Sequence, residues 1–231
     1  MPNIIYAVQL SFQSDVIALQ KEVLSCLALD WVDHVNSACY GGSWDVLPIR
    51  TLTTHLDKHP ILQSFNLEQK GDWVYLPIIE ELPQIRSIID WFQCDVEATR
   101  LMRLKPGAHI KPHQDKGLSI EHGFARFHVP IRAVEQVEFI VNGALIPMKN
   151  GELWYLNADA THSVKHVGNE DRINLVIDCK VNDWLRQQIL SAVIIQNNCR
   201  KRVFASYILL LNSLIQGQNL WIGMISNSYM V

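Results

Sequence analysis

The chain has 231 residues, 48% of them apolar and 19% charged, with a net charge of −3. This supports a substantial core and argues against disorder, and the scattered Lys and Arg residues form no basic stripe for nucleic acid. The cysteines (Cys26, Cys39, Cys94, Cys179 and Cys199) are odd in number and contain no C-x-x-C pair, which excludes a zinc ribbon and a secreted disulfide framework. The opening MPNIIYAVQLSFQSD lacks a basic start followed by an apolar run, so no signal peptide is expected and a reducing cytoplasm is the default.

Ser14 is placed to cap a helix through VIALQKEVLSCL, whose apolar residues recur at helical spacing. A mixed region follows, in which SWDVLPIRT reads as a strand. ELPQIRSIIDWF predicts a short amphipathic helix with Pro83 near its start. From Glu97 the character changes. ATRLMRL, HIKPH, ARFHVPIR, VEFIV, ALIPM, ELWYLN, HSVKHV and RINLVIDCKV read as short strands, with Asn142-Gly143 and Asn150-Gly151 as hairpin turns. The expected fold is mainly β with flanking helices, built on a double-stranded β-helix, the cupin-like jelly roll. The expected organisation is one domain. Residues 1–95 form an α-rich region contributing to a substrate pocket, 96–182 the catalytic core and 183–231 a helical tail.

The tail carries no charge from Val203 to Val231 and follows Arg200-Lys201-Arg202, as a membrane anchor would. Asn212, Ser213, Gln216, Gln218 and Asn219 interrupt it, and no stretch approaches the ~18 apolar residues that a span requires. The expectation is a helix packed on the domain or on a second copy, giving a homodimer, and no membrane span.

His113-Gln114-Asp115 sets two potential metal ligands at i and i+2, which project to one face of an extended segment. By itself H-x-D carries little information, and a solvated loop is the ordinary alternative. A third ligand would complete a triad of two histidines and a carboxylate, leaving positions open on Fe(II) for a bidentate cosubstrate and O2. His162 opens a strand late in the β block, and a jelly roll brings its second and seventh strands together. His166, four residues on, competes for the same role. Arg172 lies in the apolar strand RINLVID, where an arginine requires an anionic partner. The distal carboxylate of 2-oxoglutarate would suit it, as would a structural Asp or Glu. Arg126 and His128 share one face of ARFHVPI and call for a polar occupant if that face is inward.

The strings RLMRLKPGAHIKPHQD, RFHVPI and PMKNGELWYLN, followed by a histidine and RINLVID, resemble the aspartyl/asparaginyl β-hydroxylase family of Fe(II)- and 2-oxoglutarate-dependent dioxygenases. The resemblance runs from about Trp73 to Leu185. It implies His113, Asp115 and His162 as metal ligands and Arg172 on the distal carboxylate of 2-oxoglutarate. Arg126 and His128 would reach the other carboxylate. It favours His162 over His166. Asp115 places the chain nearer the bacterial amino-acid-hydroxylating branch, because the animal enzymes lack that carboxylate. The implied reaction converts 2-oxoglutarate and O2 to succinate and CO2 while hydroxylating an unactivated C–H.

The implied substrate is a small molecule, an amino acid or short peptide. Arg50 could grip its carboxylate, and Trp44, six residues earlier, is expected on the same strand face. The other classes considered are a cupin-like metal-dependent isomerase using Zn or Mn, and a non-catalytic jelly-roll binding module. The isomerase has no need of Arg172, and the binding module no need of His113 and Asp115. Lys116 to Phe124 is expected to be a mobile loop over the site, with Glu121 solvated.

Overall fold

The computed structural model describes residues 4–65 and 71–193. The chain divides into two compact units, Met1–Ala192 and Val193–Val231. The second lies outside the described residues beyond its first position, as do the expected tail packing and homodimer contact. Helical backbone does begin at residue 183, capped by the Asn182 side chain, which accepts from Leu185 N at 2.9 Å. Among the described residues no helix is long and apolar enough to cross a membrane.

The elements run β1 (Ala7–Gln13), α1 (Val16–Cys26), β2 (Val32–Asp33), β3 (Tyr40–Gly41), β4 (Trp44–Leu52), α2 (Pro60–Gln63), β5 (Trp73–Tyr75) and α3 (Pro83–Asp90). Then follow β6 (Val96–Leu104), β7 (His109–His113), β8 (Phe124–Arg132), β9 (Val137–Val141), β10 (Ala144–Leu145), β11 (Glu152–Leu156), β12 (His162–His166) and β13 (Arg172–Lys180). The last eight strands are those predicted. They fold as a jelly roll, with β11-β8-β13-β6 in one sheet and β10-β9-β12-β7 in the other. The second and seventh of them, β7 and β12, pair antiparallel.

The N-terminal third is more than a helical cap. β1 extends the large sheet beside β11, β4 extends it beside β6, and β2 and β5 pair with β4. β3 edges the small sheet. The core lies between the layers: Val46, Met102, Leu104, Trp154 and Val176 from the large sheet meet Ile110, Phe139, Val141 and Val164 from the small one. Each such aliphatic side chain, fully buried, contributes about 1.5–3 kcal/mol.

Two local expectations need correcting. Asp15, not Ser14, caps α1, its carboxylate accepting from Ala18 N at 3.1 Å. Ser14 instead donates its hydroxyl to Gly151 O at 3.0 Å. Asn142 (φ 48°) and Gly143 (φ 78°) do make the tight β9–β10 turn. Asn150-Gly151 makes no hairpin, because the chain there leaves the small sheet at β10 and enters the large sheet at β11. That crossover carries α1 with it, since Ser14 N also bonds Gly151 O at 3.2 Å.

Three irregularities in the ladders aim the site. In β7 one extra residue lies between the Ile110–Val164 and His113–His162 pairs, turning His113 to the inner face that Ile110 already occupies. In β6 an extra residue lies between the Thr99–Ile177 and Val96–Cys179 pairs, and Glu97 thereby reaches the cavity wall. In β4 the extra residue lies between the Pro48–Arg100 and Arg50–Thr99 pairs, which sends Arg50 to the opposite face from Trp44.

Gly151 has φ 84°, and a Cβ there would collide with the Val16 side chain and press on Ser14. Gly143 is also left-handed but has open space around it. Gly151→Ala is therefore expected to destabilise by about 1–3 kcal/mol and Gly143→Ala by less than about 1 kcal/mol, compared by chemical denaturation.

Candidate active site

His113 at the end of β7 and His162 at the start of β12 are direct register partners, their ring centroids 4.2 Å apart. Asp115 follows on the turn after β7, its backbone N–H donating to Ala158 O at 2.8 Å. Ligand atoms of the three lie within 4.8 Å of one another. His113 Nδ1 donates to Lys111 O (2.8 Å) and His162 Nδ1 to Ala160 O (3.0 Å). A carbonyl can only accept, so both histidines carry hydrogen on Nδ1 and offer the Nε2 lone pair to a metal. His166, four residues along β12 and so about 13 Å further on, bonds backbone carbonyls of Gln136 and Glu170 and does not join the set.

Behind Asp115 lies a chain of alternating charges. Arg126 on β8 donates from Nη1 to Asp115, and from Nε (2.7 Å) and Nη2 (2.9 Å) to Asp178 on β13. Arg100 on β6, fully buried, donates from Nη1 to Asp178 at 2.9 Å. Burial pushes the Asp178 carboxyl up, but Arg100 and Arg126 outweigh it and hold the group well below the usual carboxylate range. Burial pushes the Asp115 carboxyl up, but Arg126, His162 and His113 together outweigh it and lower it, so it too stays ionised. Asp178 and Arg100 were not among the residues expected at the site. A signal for Asp178 was present, since it is a charge inside the apolar run LVIDC, whereas Arg100 shares its strand with Glu97 and Arg103 and does not stand out.

Arg172 at the start of β13 presents the opposite situation. It is 2% exposed, its guanidinium lies 6.0 Å from the Phe139 ring centroid, and neither Nε nor Nη2 has a hydrogen-bond partner among the described residues. Burial pushes its pKa down to about 10. Close by, Asn174 Nδ2 donates to His128 Nδ1 at 2.7 Å, leaving the hydrogen of His128 on Nε2. Burial, then Arg172, hold that ring neutral. A buried cation without an acceptor is unfavourable by itself, and an incoming carboxylate would satisfy it.

His113, Asp115, His162, Arg126, His128, Arg172 and Asp178 line one cavity of about 620 Å³, together with His34, Trp44, Phe65, Lys116 and Leu118. The donor set and the orphaned Arg172 fit a divalent metal with a dicarboxylate beside it. Trp44 joins the wall and Arg50 does not: its Nε donates to Val96 O (3.1 Å), its Nη2 to Trp73 O (3.0 Å), and it stacks over Tyr75. The segment after Asp115 is less free than expected. Ser119 and Ile120 are buried, and Ile120 N donates to Tyr155 Oη at 3.2 Å. Glu121 is exposed.

Two outcomes follow. Asp178→Asn leaves two buried guanidiniums short of a counter-charge, so a loss of about 3–5 kcal/mol is expected in denaturant titrations. Asp115 then loses its support, and divalent-metal affinity, measured by calorimetry, should weaken by about 10–100-fold. The second concerns pH. His34 is pushed down to about 3, by burial first and then by Arg100, and His128 is also lowered. Unfolded histidine titrates near about 6.5, so unfolding takes up protons below that value. The stability these two rings support is complete above about pH 6.5 and is lost as pH falls toward their folded values. The thermal midpoint of metal-free protein should therefore fall from about pH 7 to 5, and His34→Gln should flatten that fall.

Residues 54–181 match the family described as Aspartyl/Asparaginyl beta-hydroxylase. Over 147 residues, 63% of this chain and 50% of the relative, the sequence is 27% identical to L-proline cis-4-hydroxylase of Rhizobium meliloti (strain 1021), so the match spans half the length of that protein. The crystal structure of an oxidoreductase of the 2OG-Fe(II) oxygenase family from Burkholderia pseudomallei shares the fold. Its TM-score is 0.50 at 16% identity, covering 76% of this chain and 86% of that one. The family match takes in more than half of the chain and contains His113, Asp115, Arg126, His128, His162 and Arg172. The chain belongs to the aspartyl/asparaginyl β-hydroxylase family.

Proposed function

We propose that the protein is an Fe(II)- and 2-oxoglutarate-dependent dioxygenase that hydroxylates an unactivated C–H of a small amino acid or a short peptide. The observation that carries this reading is the buried Arg172 without an acceptor, in the same cavity as a two-histidine, one-carboxylate set. His113, Asp115 and His162 would hold the iron, and Arg172 would take the distal carboxylate of 2-oxoglutarate. Three of the five Arg126 N–H groups go to Asp115 and Asp178, so the remaining two, with the His128 Nε2–H, can reach the cosubstrate's other carboxylate. Iron with 2-oxoglutarate and O2 supplies the oxidation, in which the oxo acid becomes succinate and CO2 and the substrate C–H becomes C–OH.

The chain's own residues bind, orient and exclude water. Phe139, Val164 and Val176 make the cavity floor apolar, which strengthens every charge contact made there. The Arg126–Asp178 pair keeps Asp115 ionised and aimed. The named activity of the proline-hydroxylating relative supports an amino acid as substrate. A cupin-like isomerase would leave Arg172 buried without an anion. The free thiols of Cys26, Cys39, Cys94 and Cys179 agree with a reducing, cytoplasmic setting.

Anaerobic titration of Fe(II)-loaded protein with 2-oxoglutarate should develop a weak visible charge-transfer band. Arg172→Ala should need at least about tenfold more cosubstrate for the same band, the loss of a charge-assisted bidentate contact. Absence of the band in wild-type protein with iron bound would remove 2-oxoglutarate from the mechanism.

A further inference from the structure

One wall of the cavity belongs neither to the metal set nor to the cosubstrate residues. His34, just after β2, lies flat on Trp44 of β4, with ring centroids 3.6 Å apart and planes 8° apart. Phe65 meets the imidazole edge-on at 5.0 Å, and Tyr40 at 6.4 Å. The ring is thus fixed by aromatic contacts on one face and at its edges. Its Nδ1 accepts from Asn36 N at 3.3 Å. A neutral imidazole that accepts at one nitrogen donates at the other, so the hydrogen is on Nε2.

No acceptor among the described residues meets that Nε2–H. The Trp44 indole N–H is a second donor, buried and without a partner. Both residues line the cavity that holds His113, Asp115, His162 and Arg172. Of the charges acting on His34, cationic Arg100 is the largest, ahead of the opposing Asp115 carboxylate, which favours an anionic oxygen over a neutral carbonyl at this wall. The Tyr40 hydroxyl is already used, donating to His34 O at 3.3 Å. Both His34 and Trp44 precede the family-matched segment, which begins at residue 54.

We propose that the His34 Nε2–H and the Trp44 indole N–H receive the carboxylate of the substrate, a free α-amino acid whose carbon skeleton then lies between this wall and the metal ligands. This assignment rests on the dioxygenase reading of the same cavity. It makes His34 a substrate-selecting residue: a substrate with its carboxyl group blocked as an amide, or continued into a peptide bond, meets two donors with one acceptor and no negative charge.

The test is equilibrium binding to full-length protein loaded with Fe(II) and 2-oxoglutarate without O2. The probes are the common free L-amino acids, L-proline included, and their carboxamides, and tryptophan fluorescence is the readout. At least one free acid should bind at least about tenfold more tightly than its amide, since a hydrogen bond to a charged acceptor is being lost. His34→Phe should weaken that acid by about tenfold and abolish the preference over the amide, with 2-oxoglutarate affinity unchanged. His34→Gln, which keeps an N–H, should recover part of the loss. Equal binding of acid and amide, or unchanged binding to His34→Phe, would overturn the assignment, as would failure of every free amino acid to bind. The cosubstrate band on the same samples separates the two readings. With the band present and no free acid bound, the wall assignment falls alone. With the band absent, both fall.

Discussion

Four alternating charges, Arg100, Asp178, Arg126 and Asp115, cross the floor of the large sheet and end at the cavity. Their positions follow from sheet register. Asp178 and Arg126 are direct partners across β13 and β8, and Arg100 lies on β6, the other neighbour of β13, opposite Val176. Because side chains alternate, slipping β13 by one residue would turn Asp178 outward and leave two guanidiniums buried without a counter-charge. No arrangement with these residues inside is tolerable unless all of them meet, because removing one partner of a buried pair costs more than the pair contributes. The same register that stabilises the floor therefore aims Asp115.

The small sheet supplies the two histidines of the candidate metal set by a different device. His113 and His162 face each other because β7 carries one extra residue near Pro112. Proline has no N–H to offer a ladder, so a bulge is one of the few places within a sheet where it fits. The two sheets thus bring different chemistry to one cavity. The small sheet gives imidazole nitrogens fixed by backbone carbonyls, and the large sheet gives the guanidinium that fixes the ionised Asp115 oxygen. At the far end of β13, Arg172 is left with no such partner. One strand carries both a charge-balanced ion cluster and a cation with no paired carboxylate, and the difference marks where an anionic ligand belongs.

How much of this was legible in the sequence depended on whether local pattern or tertiary register set each position. The eight core strands were legible because turn residues separate short β-rich runs, and the His113, Asp115 and His162 set because motif order and jelly-roll topology agree. Arg50 was misplaced because strict alternation from Trp44 assumes an unbroken ladder, and β4 holds an extra residue after Pro48. Asn150-Gly151 has hairpin chemistry, but the strands on either side of it enter different sheets. His34 could not be found by spacing, because its ring is fixed by Trp44 and Phe65, ten and thirty-one positions away, rather than by its neighbours. The buried Asp178 was legible as an anomaly, a charge in an apolar strand, although its partners were not.

These differences share a physical origin. Arg100, Arg126, Arg172 and Asp178 sit on the nine-residue strands β6, β8 and β13, each paired on both sides, so any change of register there disrupts a buried charge cluster and the core together. The His34–Trp44 wall sits where the two-residue β2 meets the outer end of the large sheet, held by ring stacking and a few hydrogen bonds. Substitutions at that wall disturb few ladder bonds and no buried ion pair. The fold therefore separates a part fixed by buried charges and sheet register from a part fixed by aromatic packing. In a cavity shared by both, the first suits the common oxidation and the second suits the choice of what is oxidised.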